Sequence, residues 1–179
     1  MSIKKTYFVP GTTTDKNNKL STGWVQGELS KLGIQQAKDL GQQVSDQKFD
    51  IVFCSDLKRA VDSAQLGFSD KYKILADKRL RECNYGDLNQ ASEEKVKYTE
   101  HIDKPFPHGE SLKDVQARIN DFIHFIKENY PDKHIAIVAH KAPQLALEVL
   151  TKGKTWSEAI EQDWRKTKSW QAGWEYIIK

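Results

Sequence analysis

Short apolar runs separated by stretches of helical periodicity constrain this chain more than any other feature. Thr6–Val9, Phe49–Cys54, Tyr72–Leu75, His134–Ala139 and Trp174–Ile178 read as strands, several of them continuously apolar, as strands buried on both faces are. Between them, Leu32, Ile34, Ala37, Leu40 and Val44 recur at near-helical spacing behind Ser30, a candidate N-cap. A second helix follows Ser55-Asp56, which supply cap chemistry, and runs to about Leu66. Leu112, Val115, Ile119, Phe122, Ile123 and Ile126 mark one face of a third, opened by Ser111 and Asp114 in the manner of a capping box. A fourth spans about Ala142 to Leu150, with Pro143 in its first turn and Gly153 just past its end. A polar helical stretch over Ser92–Tyr98 and a short helix near Ser157–Arg165 complete the pattern, whereas Thr12–Glu28 has too little periodicity for an element. Strands alternating with helices predict a three-layer α/β/α sandwich with a mostly parallel central sheet, formed by residues 1–179 as a single domain.

Composition narrows the function classes. The 28 basic and 25 acidic residues are mixed along the chain, without the concentrated positive face of a nucleic-acid binder. The longest apolar runs, such as Ile135–Ala139, are too short to span a bilayer. The opening Met1-Ser2-Ile3-Lys4-Lys5 lacks the pattern of a signal peptide, and two distant cysteines, Cys54 and Cys83, suit a reducing compartment. The expectation is a cytoplasmic protein with no nucleic-acid or membrane partner, its oligomeric state left open.

In parallel sheets, ligands sit beyond the carboxyl ends of the strands. Three groups stand out there. Arg59 lies in the first turn of the helix after Cys54, where a guanidinium serves either a phosphate or a surface salt bridge. His140 leaves a buried strand, as a site residue or a core imidazole. Glu82, in the loop Leu80-Arg81-Glu82-Cys83-Asn84-Tyr85-Gly86, is a solvated carboxylate or, facing a closed site, a proton donor.

Taken together, Gly11 with Thr13, Ser55-Asp56-Leu57-Lys58-Arg59-Ala60, Leu80-Arg81-Glu82 with Gly86, Gly109-Glu110-Ser111 and Ile137-Val138-Ala139-His140 resemble the histidine phosphatase (phosphoglycerate mutase-like) superfamily, in order and spacing over nearly the whole chain. In that family a histidine attacks the phosphoryl group, arginines and a second histidine neutralise the equatorial oxygens, and a carboxylic acid protonates the leaving oxygen. The resemblance implies a partner that is a phosphorylated small molecule or inorganic phosphate, without a metal or other cofactor. It implies phosphate binding by Arg59, His140, Gly11, Thr13 and Lys16, with His140 also stabilising the transferring group and Glu82 as acid/base. Where the family reads Arg-His-Gly, this sequence reads Val9-Pro10-Gly11: Pro10 takes the nucleophile's place, Val9 that of an arginine, and Lys16 that of a later asparagine. Proline offers neither a nucleophilic atom nor an N–H. Three accounts remain: a phosphomonoester-binding protein with turnover lost or strongly reduced, an active phosphatase by a modified mechanism or as a variant of an active enzyme, and a non-catalytic interaction or regulatory module on the same fold. Trp156, Trp164, Trp170 and Trp174 crowd the last quarter, where aromatic residues dock a terminus onto the core or present a partner surface, and Asp163–Lys168 brings cations to the same region.

Overall fold

A computed structural model describes residues 3–179. Its strands are β1 (Ile3–Phe8), β2 (Ile51–Cys54), β3 (Ile74–Ala76), β4 (Ile135–Val138) and β5 (Trp174–Ile178). They form one sheet in the order β3-β2-β4-β1-β5, parallel throughout except for β5, which runs antiparallel to β1. Phe8 aligns with Val138 and Cys54 with Val138 on the other side, so β1, β2 and β4 end side by side. That common edge carries the turn after β1, the start of the helix after β2, and His140.

Helices cover both faces. On one, Val44 of the segment following α2 (Lys31–Gln43) and Ala64 and Phe68 of α3 (Lys58–Phe68) pack on Phe8, Val52, Cys54 and Val138. On the other, Leu112, Val115, Ile119 and Phe122 of α4 (Leu112–Asn129) and Leu145 and Ala146 of α5 (Lys141–Lys152) pack on Tyr7, Phe53, Ile135 and Ile137. The strict period of two along each strand sorts its apolar side chains between these two layers. The mixed α/β sandwich with a mostly parallel sheet is therefore the one expected.

Helix starts follow from cap chemistry. Ser30 Oγ accepts the Gly33 amide at 3.1 Å, and Ser111 with Asp114 makes a full capping box at α4. Gly153 closes α5 in a left-handed conformation, φ 69°. The first strand starts at Ile3, three residues before the expected Thr6, and four helical segments also differ from expectation. The helix after β2 begins at Leu57 as N-cap with no side-chain cap; Ser55 Oγ accepts the Leu57 amide instead, and both carboxylate oxygens of Asp56 take Arg81 at 2.7 Å. Ser92–Tyr98 forms two 3₁₀ turns, Glu93–Lys95 and Tyr98–Glu100, not a continuous helix, because it has no apolar stripe to bury. The segment near 157–165 divides into α6 (Trp156–Glu161) and α7 (Trp164–Thr167), since Asp163 leaves the helix to cap Arg165. Finally, Thr14–Asn17 forms a single helical turn, α1, within the stretch expected to be irregular.

The turn after β1 is wedged against α2. A Cβ on Gly11 would lie 2.1 Å from the Gly33 carbonyl oxygen, and one on Gly33 would lie 2.1 Å from that of Thr12. Two glycines let these backbones touch, and that contact fixes where Pro10 sits.

Candidate active site

At the carboxyl edge of β1, β2 and β4 lies a cavity of about 600 Å³, lined among others by Pro10, Gly11, Thr13, Lys16, Arg59, Glu82 and His140. The structure thus brings Gly11, Thr13, Lys16, Arg59, Glu82 and His140, with Pro10, to one cavity, although several face other partners.

Arg59 is held from above. It is 6% exposed, and its guanidinium donates to the Gly23 carbonyl at 2.8 Å and the Val25 carbonyl at 3.2 Å. Burial lowers its pKa from the ordinary arginine value, with the Glu82 carboxylate acting against that. The carbonyls come from the irregular 21–28 segment, whose Trp24 indole also donates to the Glu82 carbonyl at 2.6 Å. Sequence periodicity had no signal for this roof.

His140 lies two residues past the end of β4 and N-caps α5. It is 4% exposed, and its Nε2 has no hydrogen-bond partner among the described residues. Burial, then the Arg59, Arg118 and Arg165 charges, holds its pKa well below the ordinary histidine range, so the imidazole is neutral. Its backbone is fixed by the Tyr7 hydroxyl, which donates to the His140 carbonyl at 2.6 Å.

Glu82 is anchored by backbone amides. Oε1 accepts from Cys83 and Ala142, both at 2.9 Å, and from the Tyr98 hydroxyl at 3.4 Å; Oε2 accepts from Lys141 at 3.2 Å. The carboxylate therefore sits on the N-terminus of α5, where the helix dipole favours negative charge. Oε2, with one hydrogen bond, is the oxygen with acceptor capacity remaining.

The turn residues are largely engaged elsewhere. Gly11 donates its amide to Ser63 Oγ at 3.0 Å, and Thr12 donates to Gln36 at 2.9 Å. Thr13 Oγ1 caps α1 by accepting the Lys16 amide at 3.1 Å, and the Lys16 ammonium pairs with Glu93.

Three further groups bear on the site, of which Lys141 and Arg118 were not anticipated from the sequence. Lys141, beside His140, lies 4.4 Å over the Tyr98 ring and 3.6 Å from Asp163, with its pKa lowered chiefly by burial and supported by Asp163. Arg165, one of the cations of the 163–168 stretch, lines the same cavity and donates to Asp163 at 2.9 Å. Arg118 donates to the Arg79, Arg81 and Glu82 carbonyls and to both Glu110 oxygens, splinting the loop that carries Glu82. Cys54 is not reactive: burial pushes its thiol up to about 12.

A doubly covered, mostly parallel sheet thus sets a guanidinium, a neutral imidazole and a helix-seated carboxylate around one carboxyl-edge cavity. The sequence profile of the histidine phosphatase superfamily (branch 1) matches residues 11–164, and the chain belongs to that superfamily. Among its relatives, a 2,3-bisphosphoglycerate-dependent phosphoglycerate mutase of Brucella anthropi is 33% identical over 80% of this chain and 79% of that protein. The structure is similar to the alpha-ribazole phosphatase from Shigella flexneri, at TM-score 0.75 and 25% identity over 90% of this chain and 84% of that one. It also shares its fold with a mycobacterial glucosyl-3-phosphoglycerate phosphatase, at TM-score 0.78 and 23% identity over 89% and 84% of the two chains. Among the described residues, no helix is long and apolar enough to cross a membrane.

Proposed function

We propose that this chain, as one cytoplasmic domain, binds phosphomonoesters and inorganic phosphate through Arg59 and His140, and that phosphatase turnover is lost or strongly reduced because Pro10 stands at the nucleophile's place. The observation that carries this reading is that Arg59 and His140 line one cavity at the carboxyl edge of the sheet, with His140 Nε2 buried and without a hydrogen-bond partner among the described residues. A buried polar atom without a hydrogen bond costs about 1–3 kcal/mol, and an anion's oxygen removes that cost. A phosphate there meets the imidazole on one side and the guanidinium on another, and a dianion would raise the imidazole pKa and draw a proton onto it. Of the other groups, Lys16 reaches the anion by releasing Glu93, while Thr13 and Gly11 shape the wall. Glu82 Oε2 is the atom to which the acid/base part falls if any turnover survives.

The test is a thermal shift with inorganic phosphate or vanadate. At tenfold above its dissociation constant a ligand adds about 1.4 kcal/mol, or roughly 3–5 °C for a chain of this size. Arg59→Ala should abolish the shift. Absence of any shift at millimolar anion overturns the phosphate pocket. Turnover of p-nitrophenyl phosphate should be absent or several orders of magnitude below that of an active phosphatase. Robust turnover abolished by His140→Ala would overturn the inactive reading, and recovery in Pro10→His would place the whole deficit at one position.

A further inference from the structure

Lys141 is a cation in an unfavourable place. It is the first residue of α5, at the positive end of the helix dipole, where its own amide and that of Ala142 are taken by Glu82. Helical side chains lean back towards the N-terminus, so its ammonium is carried to the carboxyl edge of the sheet, where Lys141 lines the same cavity as Arg59 and His140. The Tyr98 ring supports it from one side, 4.4 Å away.

Its ion-pair partner, Asp163, is shared. The Lys141 ammonium lies 3.6 Å from Asp163 Oδ2, beyond hydrogen-bond distance, and that oxygen is without a hydrogen bond among the described residues. Asp163 Oδ1 is taken by Arg165, through its guanidinium at 2.9 Å and its amide at 3.2 Å, and the Gln144 side chain accepts from the same guanidinium at 3.3 Å. Arg165 is therefore engaged, whereas the three N–H donors of Lys141 are open to a ligand. The Lys141 side chain is 35% exposed, enough to be reached from the cavity. Burial lowers its pKa and Arg165 adds to that, with Asp163 and Glu82 acting the other way. An anion in the cavity offsets the excess positive charge that two cations on one carboxylate leave there. Val9 and Pro10, on the wall formed by the turn after β1, bring no charge.

We propose that Lys141 is a phosphate-binding residue, its ammonium donating to a phosphate oxygen in the cavity that Arg59 and His140 line. It supplies from the start of α5 the cation that Val9 does not supply from the end of β1. The assignment rests on the phosphate-pocket reading and adds a donor to it.

The experiment is titration calorimetry of the full chain with inorganic phosphate near neutral pH. Lys141→Met keeps the stem and removes the ammonium; it should weaken phosphate binding by about tenfold or more. A second measurement needs no variant at this position: acetylation of the lysines by acetic anhydride, followed by mass spectrometry with and without phosphate. Saturating phosphate should slow acetylation of Lys141 several-fold, leave that of the exposed Lys104 unchanged, and give no protection in Arg59→Ala. If Lys141→Met fails to fold, the acetylation decides. Undiminished affinity in Lys141→Met, or a Lys141 acetylated equally fast while phosphate is bound, overturns the assignment and leaves the phosphate pocket standing. A parent chain that binds no phosphate overturns both.

Discussion

Lys5 points into the layer between the sheet and α4/α5, on the same strand face as Ile3 and Tyr7, and it is fully buried. Its Nζ has no hydrogen-bond partner among the described residues. Burial, with a smaller contribution from Lys127, lowers its pKa from 10.5 to about 7. The unfolded chain therefore holds a proton that the folded chain lacks between pH 7 and 10.5, and stability rises with pH across that window. At about 1.4 kcal/mol per pKa unit, the gap amounts to about 5 kcal/mol of destabilisation below pH 7, falling to about 2 kcal/mol at pH 9. Lys5→Met keeps the stem's volume and removes the amine. It should be more stable than the parent by several kcal/mol at pH 6 and by about 2 kcal/mol at pH 9. Urea denaturation of both proteins from pH 6 to 9 reads the difference directly, because every other titrating group is common to the two. A difference that does not shrink as pH rises, or a variant less stable at pH 6, would refute the claim that a lone buried amine sits there.

Three more outcomes follow from the same structure. Arg118→Ala leaves the Arg79 and Arg81 carbonyls without this donor and the Glu82 carbonyl and Glu110 carboxylate with only their Trp24 and Asn84 donors, and should cost about 3–5 kcal/mol in urea denaturation, with a loss below 1 kcal/mol contradicting the splint. Gly33→Ala forces a Cβ to within 2.1 Å of a backbone oxygen and should cost more than about 2 kcal/mol. Gly153→Ala, with φ 69° and nothing within 4 Å among the described residues, should cost about 1 kcal/mol; equal losses would show that the α2 contact yields. His140 has its folded pKa below the usual 6.5, so the unfolded chain takes up the proton first and stability falls as pH drops below 6.5; His140→Gln should flatten that acid limb in a pH series of thermal melts, and an unchanged limb would mean the imidazole is not held neutral.

The long amphipathic helices and the apolar strands were legible because each must bury a stripe or a face, and that requirement is written at fixed spacing. α4 shows it: six apolar positions and a capping box all point to one element. The carboxyl-edge rule likewise located Arg59 and His140 without coordinates. What escaped the sequence is held by contacts between residues far apart in the chain. Arg118 is an ordinary helical arginine until three carbonyls 36 to 39 residues away turn towards it. Glu82 reads as a loop carboxylate because the helix it seats upon begins at Lys141. Lys5 lies in a charged pair, Lys4-Lys5, and nothing in that pair distinguishes the residue paired with Glu175 from the one sealed in the core. The short turns failed for a different reason: a 3₁₀ turn of three residues carries less than one period of any pattern.

The turn after β1 is tied into the scaffold around it. Pro10 has no N–H, and the amides of Gly11, Thr12 and Thr14 are directed to Ser63, Gln36 and the Glu28 carbonyl. The Gly11 and Thr12 amides hold the turn against α3 and α2, and the Thr14 amide ties it to the segment before α2. On the proposed reading, the anion is then held from the opposite wall: by Arg59 from α3, by His140 at the end of β4, and by Lys141 and Arg165, whose shared carboxylate Asp163 is itself buried with Oδ2 free of hydrogen bonds among the described residues. Two cations on one buried carboxylate leave that wall with a net positive charge. On that reading the electrostatics that attract a phosphate do not depend on the residue at position 10, so binding and turnover would separate at this single turn.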